Sequence, residues 1–470
     1  MKLTVFSHAS MLIENQGTKL MTDPWLLGSC YWRSWWNYPK PLPYTGRVED
    51  LSYIYISHHH WDHFHGPSLR VLPQSATVLV PKAHHTLLID DLSGFGFKNI
   101  VEMPHGKSVV LESGLKLTSY HFGLSLDSTL VIENGETTIV NMNDCKITGL
   151  PLRQFLKRHP RVDLLFRSHS SASVYPHCVD AEDEGDLQYR TNQDYMTEFL
   201  RSAEIIKPRY AIPFASNHCY LHKETIRYNS TIVSPLDVKG YFDRHKPEGT
   251  DCHVMMAGDV WDSKEGFHLQ GADPFTNRPA YLQEYAKEVA PKLEAYYLEE
   301  DKVTLPFSKF KTYFSGMLEK LPLVSRPLFK PVVAFQRRSV PDAYWIVDFG
   351  RRSVYETAAL PSDWSVVIET HPAVLRDCIQ RRMFTVFMPS KRLSVRLAKG
   401  ALKDLFILTQ LLEMAEYGYF PLVNILNRRF VSAWLRRWRE VIHYFGIAAK
   451  MFIRRKKEDP LSAAVPRVTS

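Results

Sequence analysis

Tyr53-Ile54-Tyr55-Ile56-Ser57-His58-His59-His60-Trp61-Asp62-His63 is the stretch on which the reading of this 470-residue chain turns. The short apolar run Tyr53–Ile56 reads as a buried strand, which places the histidines and the aspartate on the loop at its end. Read as H-x-H-x-D-H, the loop packs four candidate metal ligands into six residues. Imidazole and carboxylate suit borderline divalent metals, and the cluster holds no thiolate. His58 and His60, at alternate positions, can converge on one ion, while Asp62 and His63 point toward a second. The plainer alternative is a histidine-rich surface tract. The strand ahead of it and the aspartate at that offset argue against an accident.

Composition is that of an ordinary folded protein, 45% hydrophobic, 23% charged and 12% aromatic, with no signature of disorder. The six cysteines (30, 145, 178, 219, 252, 378) have no spacing that suggests a disulfide framework or a zinc ribbon. No signal-like segment opens the sequence, and no apolar run reaches the roughly 18 residues of a spanning helix. A cytoplasmic protein is the expectation. Charge is concentrated at one end: residues 428–457 hold ten Lys/Arg and one acid, Glu440, a net +9 against +8 for the whole chain. The rest is therefore nearly neutral, which gives nucleic-acid binding by the body no support.

Outward from the histidine loop, short strands are expected at 3–6, 10–14 and 18–22, the last closed by Asp23-Pro24-Trp25. A loop rich in aromatics (Tyr31, Trp32, Trp35, Trp36, Tyr38) follows, too crowded by prolines to read as regular structure. Its rings either wall a pocket or cap a core or an interdomain seam. Further strands at 76–80, 115–120 and 162–166, a hairpin across Asn134-Gly135, a helix at 193–204 and a strand at 210–213 give an alternating α/β body. His121, Asp144, His169 and His218 each follow one of these strands. A lone histidine at a strand end is usually a hydrogen-bonded or surface residue, and His84, His85 and His105 are read as surface residues. Beyond residue 265 such clusters stop. A helix at 280–299 is expected to break or kink at Pro291, and residues 331–399 mix strands with a helix at 372–381. The domain reading is a catalytic domain over 1–265, an α+β extension over 266–400 and a basic helical tail over 401–470. Ser462–Ser470 reads as disordered.

Taken in order, the H-x-H-x-D-H motif, then His121, Asp144 and His218, resembles the metallo-β-lactamase superfamily over about residues 1–225. The resemblance implies an αββα sandwich with two metals at its edge. It implies His58, His60 and His121 as ligands of one metal, Asp62, His63 and His218 of the other, and Asp144 bridging both, with Asp23 orienting a ligand imidazole. Two carboxylates and five neutral imidazoles would offset part of the charge of two divalent ions and leave open positions. His169 is a candidate proton donor, substrate contact or extra ligand.

Thr22-Asp23-Pro24-Trp25-Leu26, Asn141-Met142-Asn143-Asp144-Cys145 and Pro213–His222 are similar, more narrowly, to the catalytic half of the CMP-N-acetylneuraminate hydroxylase family. That likeness implies two irons, O2 and monooxygenase chemistry on a small organic substrate. The alternative is a dinuclear zinc or manganese hydrolase of a lactone or phosphodiester. A Rieske cluster needs C-x-H and C-x-x-H elements; Cys219-Tyr220-Leu221-His222 fits the second, and no C-x-H occurs. Electrons are then expected from a separate ferredoxin or reductase. In the tail, Phe430, Trp434, Trp438, Ile442 and Phe445 recur at steps of three and four among basic residues. The stripe suits either packing on the body or peripheral contact with an anionic membrane.

Overall fold

The computed structural model describes residues 1–245, 247–322, 329–338 and 340–454; the expectation for Ser462–Ser470 lies outside them. Two sheets face each other. The first runs in the order Gly266–His268, Val260–Asp262, Lys2–Val5, Met11–Asn15, Thr18–Thr22, Tyr53–Tyr55, Thr77–Pro81, Ile100–Met103. The second runs Asp251–Cys252, Tyr210–Pro213, Leu164–Arg167, Thr138–Asn143, Asp127–Glu133, Lys116–Phe122, Ser108–Val110. Period-two alternation assigns each strand two faces. Leu20, Tyr55 and Leu79 enter the core between the sheets with Leu117, Ile132, Leu164 and Phe166. Their neighbours Met21, Ile54 and Val78 pack outward on Leu69, Leu88 and Leu92, which come from or adjoin the helices Gly66–Val71 and Leu87–Gly94. On the far side, Val140 and Leu165 pack on Phe155 of Gly149–Arg158. There too, Ala211 meets Phe199 and Phe242 of Asn192–Ile206 and Pro235–His245. The layers are helix, sheet, sheet, helix: a metallo-β-lactamase fold.

Thr18–Thr22, Tyr53–Tyr55 and Thr77–Pro81 are mutually parallel, as are Thr138–Asn143, Leu164–Arg167 and Tyr210–Pro213. Parallel strands bring their carboxyl ends to one edge, and the loops there gather the candidate ligands.

A third sheet combines Val179–Ala181 with Leu393–Leu397, Val366–Thr370, Val332–Arg337, Val340–Asp348 and Ser353–Thr357. Phe310 and Phe314 of Phe307–Lys320, Leu375 of Pro372–Arg381 and Leu405 of Leu402–Glu416 cover it. Trp25, Tyr31, Trp32 and Trp35 are buried in the same core, so the aromatic loop seals the seam between the sandwich and the C-terminal part. It is also more regular than expected. Trp35–Asn37 pairs with His218–Tyr220, Asn37 opposite His218 and Tyr220 opposite Trp35, a use of aromatic β-propensity that only a distant partner reveals.

Pro291 does not break its helix, which runs Arg278–Glu300. Tyr285 and Val289 before it, and Leu293 and Tyr297 after it, are buried in one cluster, and this packing offsets the lost hydrogen bond. The surface reading of His84, His85 and His105 also gives way. His84 is buried, its Nε2 2.9 Å from the Tyr417 carbonyl. His85 stacks on the Tyr417 ring, and His105 Nδ1 accepts from the His121 backbone N–H at 3.0 Å. The C-terminal segment covers the first two.

Arg392 is the polar lock of the seam. Fully buried, it donates to Glu300 at 2.9 and 3.0 Å, Glu224 at 2.6 Å and the Trp32 carbonyl at 2.7 Å. Burial alone would raise the Glu300 pKa, but His222 and Arg392 outweigh it and hold it down at about 2 against an ordinary 4.5. A carboxylate pKa depressed in the folded state adds stability above its unfolded value, lost as pH falls through the folded one. Arg392→Ala is therefore expected to cost about 3–5 kcal/mol at neutral pH, because it strands a buried carboxylate. In urea titrations it should also flatten the loss of stability that the unsubstituted protein shows between about pH 4.5 and 2.

Candidate metal centre

The site is assembled around Asp23, fully buried beyond the strand Thr18–Thr22 in a left-handed conformation (φ +40°). Its Oδ1 accepts from the Ser57 N–H at 2.7 Å; its Oδ2 accepts from Ser57 Oγ at 2.7 Å and Asn143 Nδ2 at 2.6 Å, and lies 2.9 Å from His63 Nδ1. One carboxylate thus joins the ends of three strands from both sheets. Tyr55 adds a second tie, its hydroxyl 2.9 and 2.7 Å from Ser119 and Ser128 Oγ, while Ser128 Oγ donates to the Ser57 carbonyl at 2.5 Å.

On this frame the histidine loop folds inward. His58 Nδ1 lies 2.9 Å from Ser57 Oγ, and its Nε2 lies 2.9 Å from His60 Nδ1. Burial first, then a neighbouring imidazole, pushes both rings down to about 4, so both are neutral and able to bind a cation near neutral pH. His63 Nε2 makes no hydrogen bond and stands 3.4 Å from carboxylate oxygens of both Asp62 and Asp144. Burial opposes charge on this ring, yet Asp62 and Asp23 outweigh it and hold its pKa well above the usual imidazole range. Burial likewise opposes ionisation of Asp144, but His63 brings its carboxyl down to about 2. Asp62 accepts from the Tyr31 hydroxyl on one oxygen and lies 3.1 Å from His8 Nε2 on the other. Burial, then the Asp62 charge, holds Tyr31 well above the ordinary phenol range, so it remains a donor.

Three overlapping triplets of ligand atoms lie within 4.8 Å of one another: His58, His60 and Asp127; His58, His63 and Asp144; His8, Asp62 and His63. The structure therefore brings together His58, His60, Asp62, His63 and Asp144, and adds Asp127 and His8. Asp127 begins a strand in register opposite Phe122, beside His121, and burial pushes its carboxyl up. His8 follows the strand Lys2–Val5. Its position after a strand, shared with the other candidates, was the available signal.

Three other sequence candidates lie beside these groups rather than in them. His121 is buried with Nε2 unbonded. His218 stacks face to face on Trp35 at 3.6 Å, its Nε2 3.2 Å from the Tyr220 hydroxyl and its ring 5.7 Å from that of His8. His169 is buried with neither ring nitrogen hydrogen-bonded, its N–H donating to Ser216 Oγ at 3.0 Å. Burial pushes its imidazole down to about 3.

The donor set fits divalent cations. A buried imidazole nitrogen faces two carboxylates without a hydrogen bond, two imidazole nitrogens approach to 2.9 Å, and a third carboxylate stands beside them. A cation would relieve the crowding of both charges and lone pairs.

Residues 2–169 match the family model described as a Beta-lactamase superfamily domain. Members of the superfamily are metal-dependent enzymes, hydroxylases and hydrolases among them. A Mycobacterium tuberculosis (strain ATCC 25618 / H37Rv) protein named for a Rieske 2Fe-2S iron-sulfur centre is 27% identical over 327 residues, covering 63% of this chain and 62% of that protein. Cytidine monophosphate-N-acetylneuraminic acid hydroxylase of Mus musculus is 28% identical over 151 residues, 31% of this chain and 26% of the enzyme. The chain thus spans less than two thirds of the length of these relatives. The crystal structure of isothiocyanate hydrolase from Delia radicum gut bacteria aligns with a TM-score of 0.42 at 14% identity, covering 56% of this chain and 99% of that one.

Asp23→Ala removes the acceptor shared by Ser57, Asn143 and His63. In urea titration of metal-free protein it is expected to cost about 3–5 kcal/mol. In Zn(II) titrations followed by calorimetry, affinity should fall about 10–100-fold. Unchanged values in both would remove Asp23 from the centre of the site.

Proposed function

We propose that this protein is a non-haem diiron, oxygen-dependent monooxygenase that hydroxylates a small organic substrate. The observation that carries the reading is the donor set, in which three carboxylates (Asp62, Asp127, Asp144) accompany His8, His58, His60 and His63 in the overlapping triplets. Carboxylate-rich sets of this kind characterise diiron proteins, whereas catalytic zinc sites lean on imidazole with one carboxylate or none. The sequence likeness to cytidine monophosphate-N-acetylneuraminic acid hydroxylase supports the same direction.

In this reading His58, His60 and Asp127 would hold one ion and His8, Asp62 and His63 the other, with Asp144, grouped with His58 and His63, available to both. His121 and His218 stand at the margin as further ligands or as groups that orient them. When bound, the two irons supply the capacity to activate O2 for insertion into a C–H bond, with electrons from a separate ferredoxin or reductase. The chain's own residues do the remaining work. Tyr31, held protonated, donates to Asp62 and fixes which of its oxygens faces the centre. Asp23 does the same for the His63 ring. His169, neutral and buried, is the candidate for moving a proton or contacting substrate.

A cleft of about 900 Å³ beside the histidine loop is lined by Tyr31, Trp32, Trp61 and Phe64 on one side and by Arg376 and Met383 of the C-terminal part on the other. Its size suits a small organic molecule, and Tyr31 connects its wall to Asp62.

Protein produced in iron-replete medium is expected to carry about two irons per chain and to consume O2 when given a reductant. Asp127→Ala should lower iron content toward about one per chain and abolish O2 consumption while leaving the circular dichroism spectrum unchanged. Two zincs per chain, with turnover that needs neither O2 nor reductant, would instead establish a hydrolase.

A further inference from the structure

The C-terminal helices Arg428–Arg436 and Trp438–Arg454 carry two apolar stripes, of which the body covers one. Inward, Phe430 packs on His84 and Tyr419, and Trp434 packs beside Tyr419. Arg437 and Glu440, both buried, pair at 2.7 and 2.8 Å and clamp Gly123, Arg437 donating to its carbonyl at 2.6 Å and Glu440 accepting from its N–H at 2.8 Å. Arg429 pairs with Glu102 and donates to the His85 carbonyl at 3.0 Å. The helices are therefore fixed, and so is what they present outward.

Outward stand Val431, Leu435, Trp438, Ile442 and Phe445, spaced four, three, four and three residues apart, all exposed. The preceding turn Leu422–Leu426 exposes Leu422, Val423, Ile425 and Leu426. Among the described residues, nine of the eighteen exposed large apolar side chains fall within residues 422–445, a concentration that marks an interaction surface. Exposed Arg428 and Arg436 and partly exposed Arg439 lie among them. The one acid of the segment, Glu440, is consumed internally by Arg437. The sequence continues with Lys450, Arg454, Arg455, Lys456 and Lys457 before the next acid, Glu458.

From this combination we infer that the face formed by residues 422–445 docks on the surface of an anionic lipid bilayer. A turn and two helices offering leucine, isoleucine, phenylalanine and tryptophan, ringed by cations with no free carboxylate, match the apolar and anionic levels of a membrane interface. Among the described residues no helix is long and apolar enough to cross a membrane, so the contact is peripheral. A second copy of the chain fits less well, because a two-fold pairing of this face brings two sets of Arg428, Arg436 and Arg439 into one interface with no free carboxylate of the segment to meet them.

The test is flotation of the full-length protein with phosphatidylcholine vesicles, with and without phosphatidylglycerol, beside the variant Leu435→Glu/Phe445→Glu. Both positions are at least 65% exposed, so the variant should keep its near-ultraviolet circular dichroism. The expected result is partition onto phosphatidylglycerol vesicles, weakened by high salt and reduced about ten-fold or more by the double substitution. Two results would overturn the inference: no partition onto either vesicle, or a dimer in light scattering that the double substitution dissociates without any vesicle binding.

Discussion

A single buried carboxylate, Asp23, is the constraint on which the arrangement of this molecule's active edge depends. Two of its hydrogen-bonded partners, Ser57 and His63, lie on the histidine loop and one, Asn143, on the opposite sheet. A desolvated carboxylate without those donors would be prohibitively costly, and the donors without it would be orphaned. The two halves of the sandwich therefore cannot separate at this edge without a large penalty. The imidazole of His63 is aimed as a by-product of that necessity. Its free nitrogen is delivered between Asp62 and Asp144, and the centre is organised before any cation arrives.

The second constraint is the seam. Arg392 reaches from the C-terminal part to Trp32, Glu224 and Glu300. Around it the aromatic loop donates Trp32 Nε1 to Asp377 and Trp35 Nε1 to the Pro389 carbonyl, each at 3.0 Å. Trp35 also forms the platform under His218. The C-terminal part is thus a wall of the cleft and a support of the histidine margin, tied to the aromatic loop by contacts that span more than 300 residues of sequence.

Much of this could be read in the sequence because it is local. A buried strand followed by clustered ligands, the Asn-Gly hairpin, and strands alternating with helices all carry short-range signals of an alternating α/β body, and the sandwich itself is what the family resemblance of the ligand series implies. What escaped is non-local. Asp127 opens a strand of one sheet, and only the packing of that sheet against the other sets it beside His58 and His60. His8 lies between two strands with no motif around it. The three residues Trp35–Asn37 become a strand only by pairing with His218–Tyr220. The tail's three-four spacing is real, but it describes two stripes at once: Phe430 and Trp434 face inward, whereas Trp438, Ile442 and Phe445 face out. Periodicity alone does not say which side of a helix meets protein.

The placement of the donors has a consequence for how such a molecule can diversify. Most of them sit just beyond the carboxyl end of a strand, and the side chains that hold the layers together lie behind them, between and outside the sheets. Exchanging an imidazole for a carboxylate at one loop position alters the electronic character of the pocket while leaving the scaffold's packing untouched. Chemistry and architecture are therefore separable here, and one frame can host unlike reactions through changes of a few side chains.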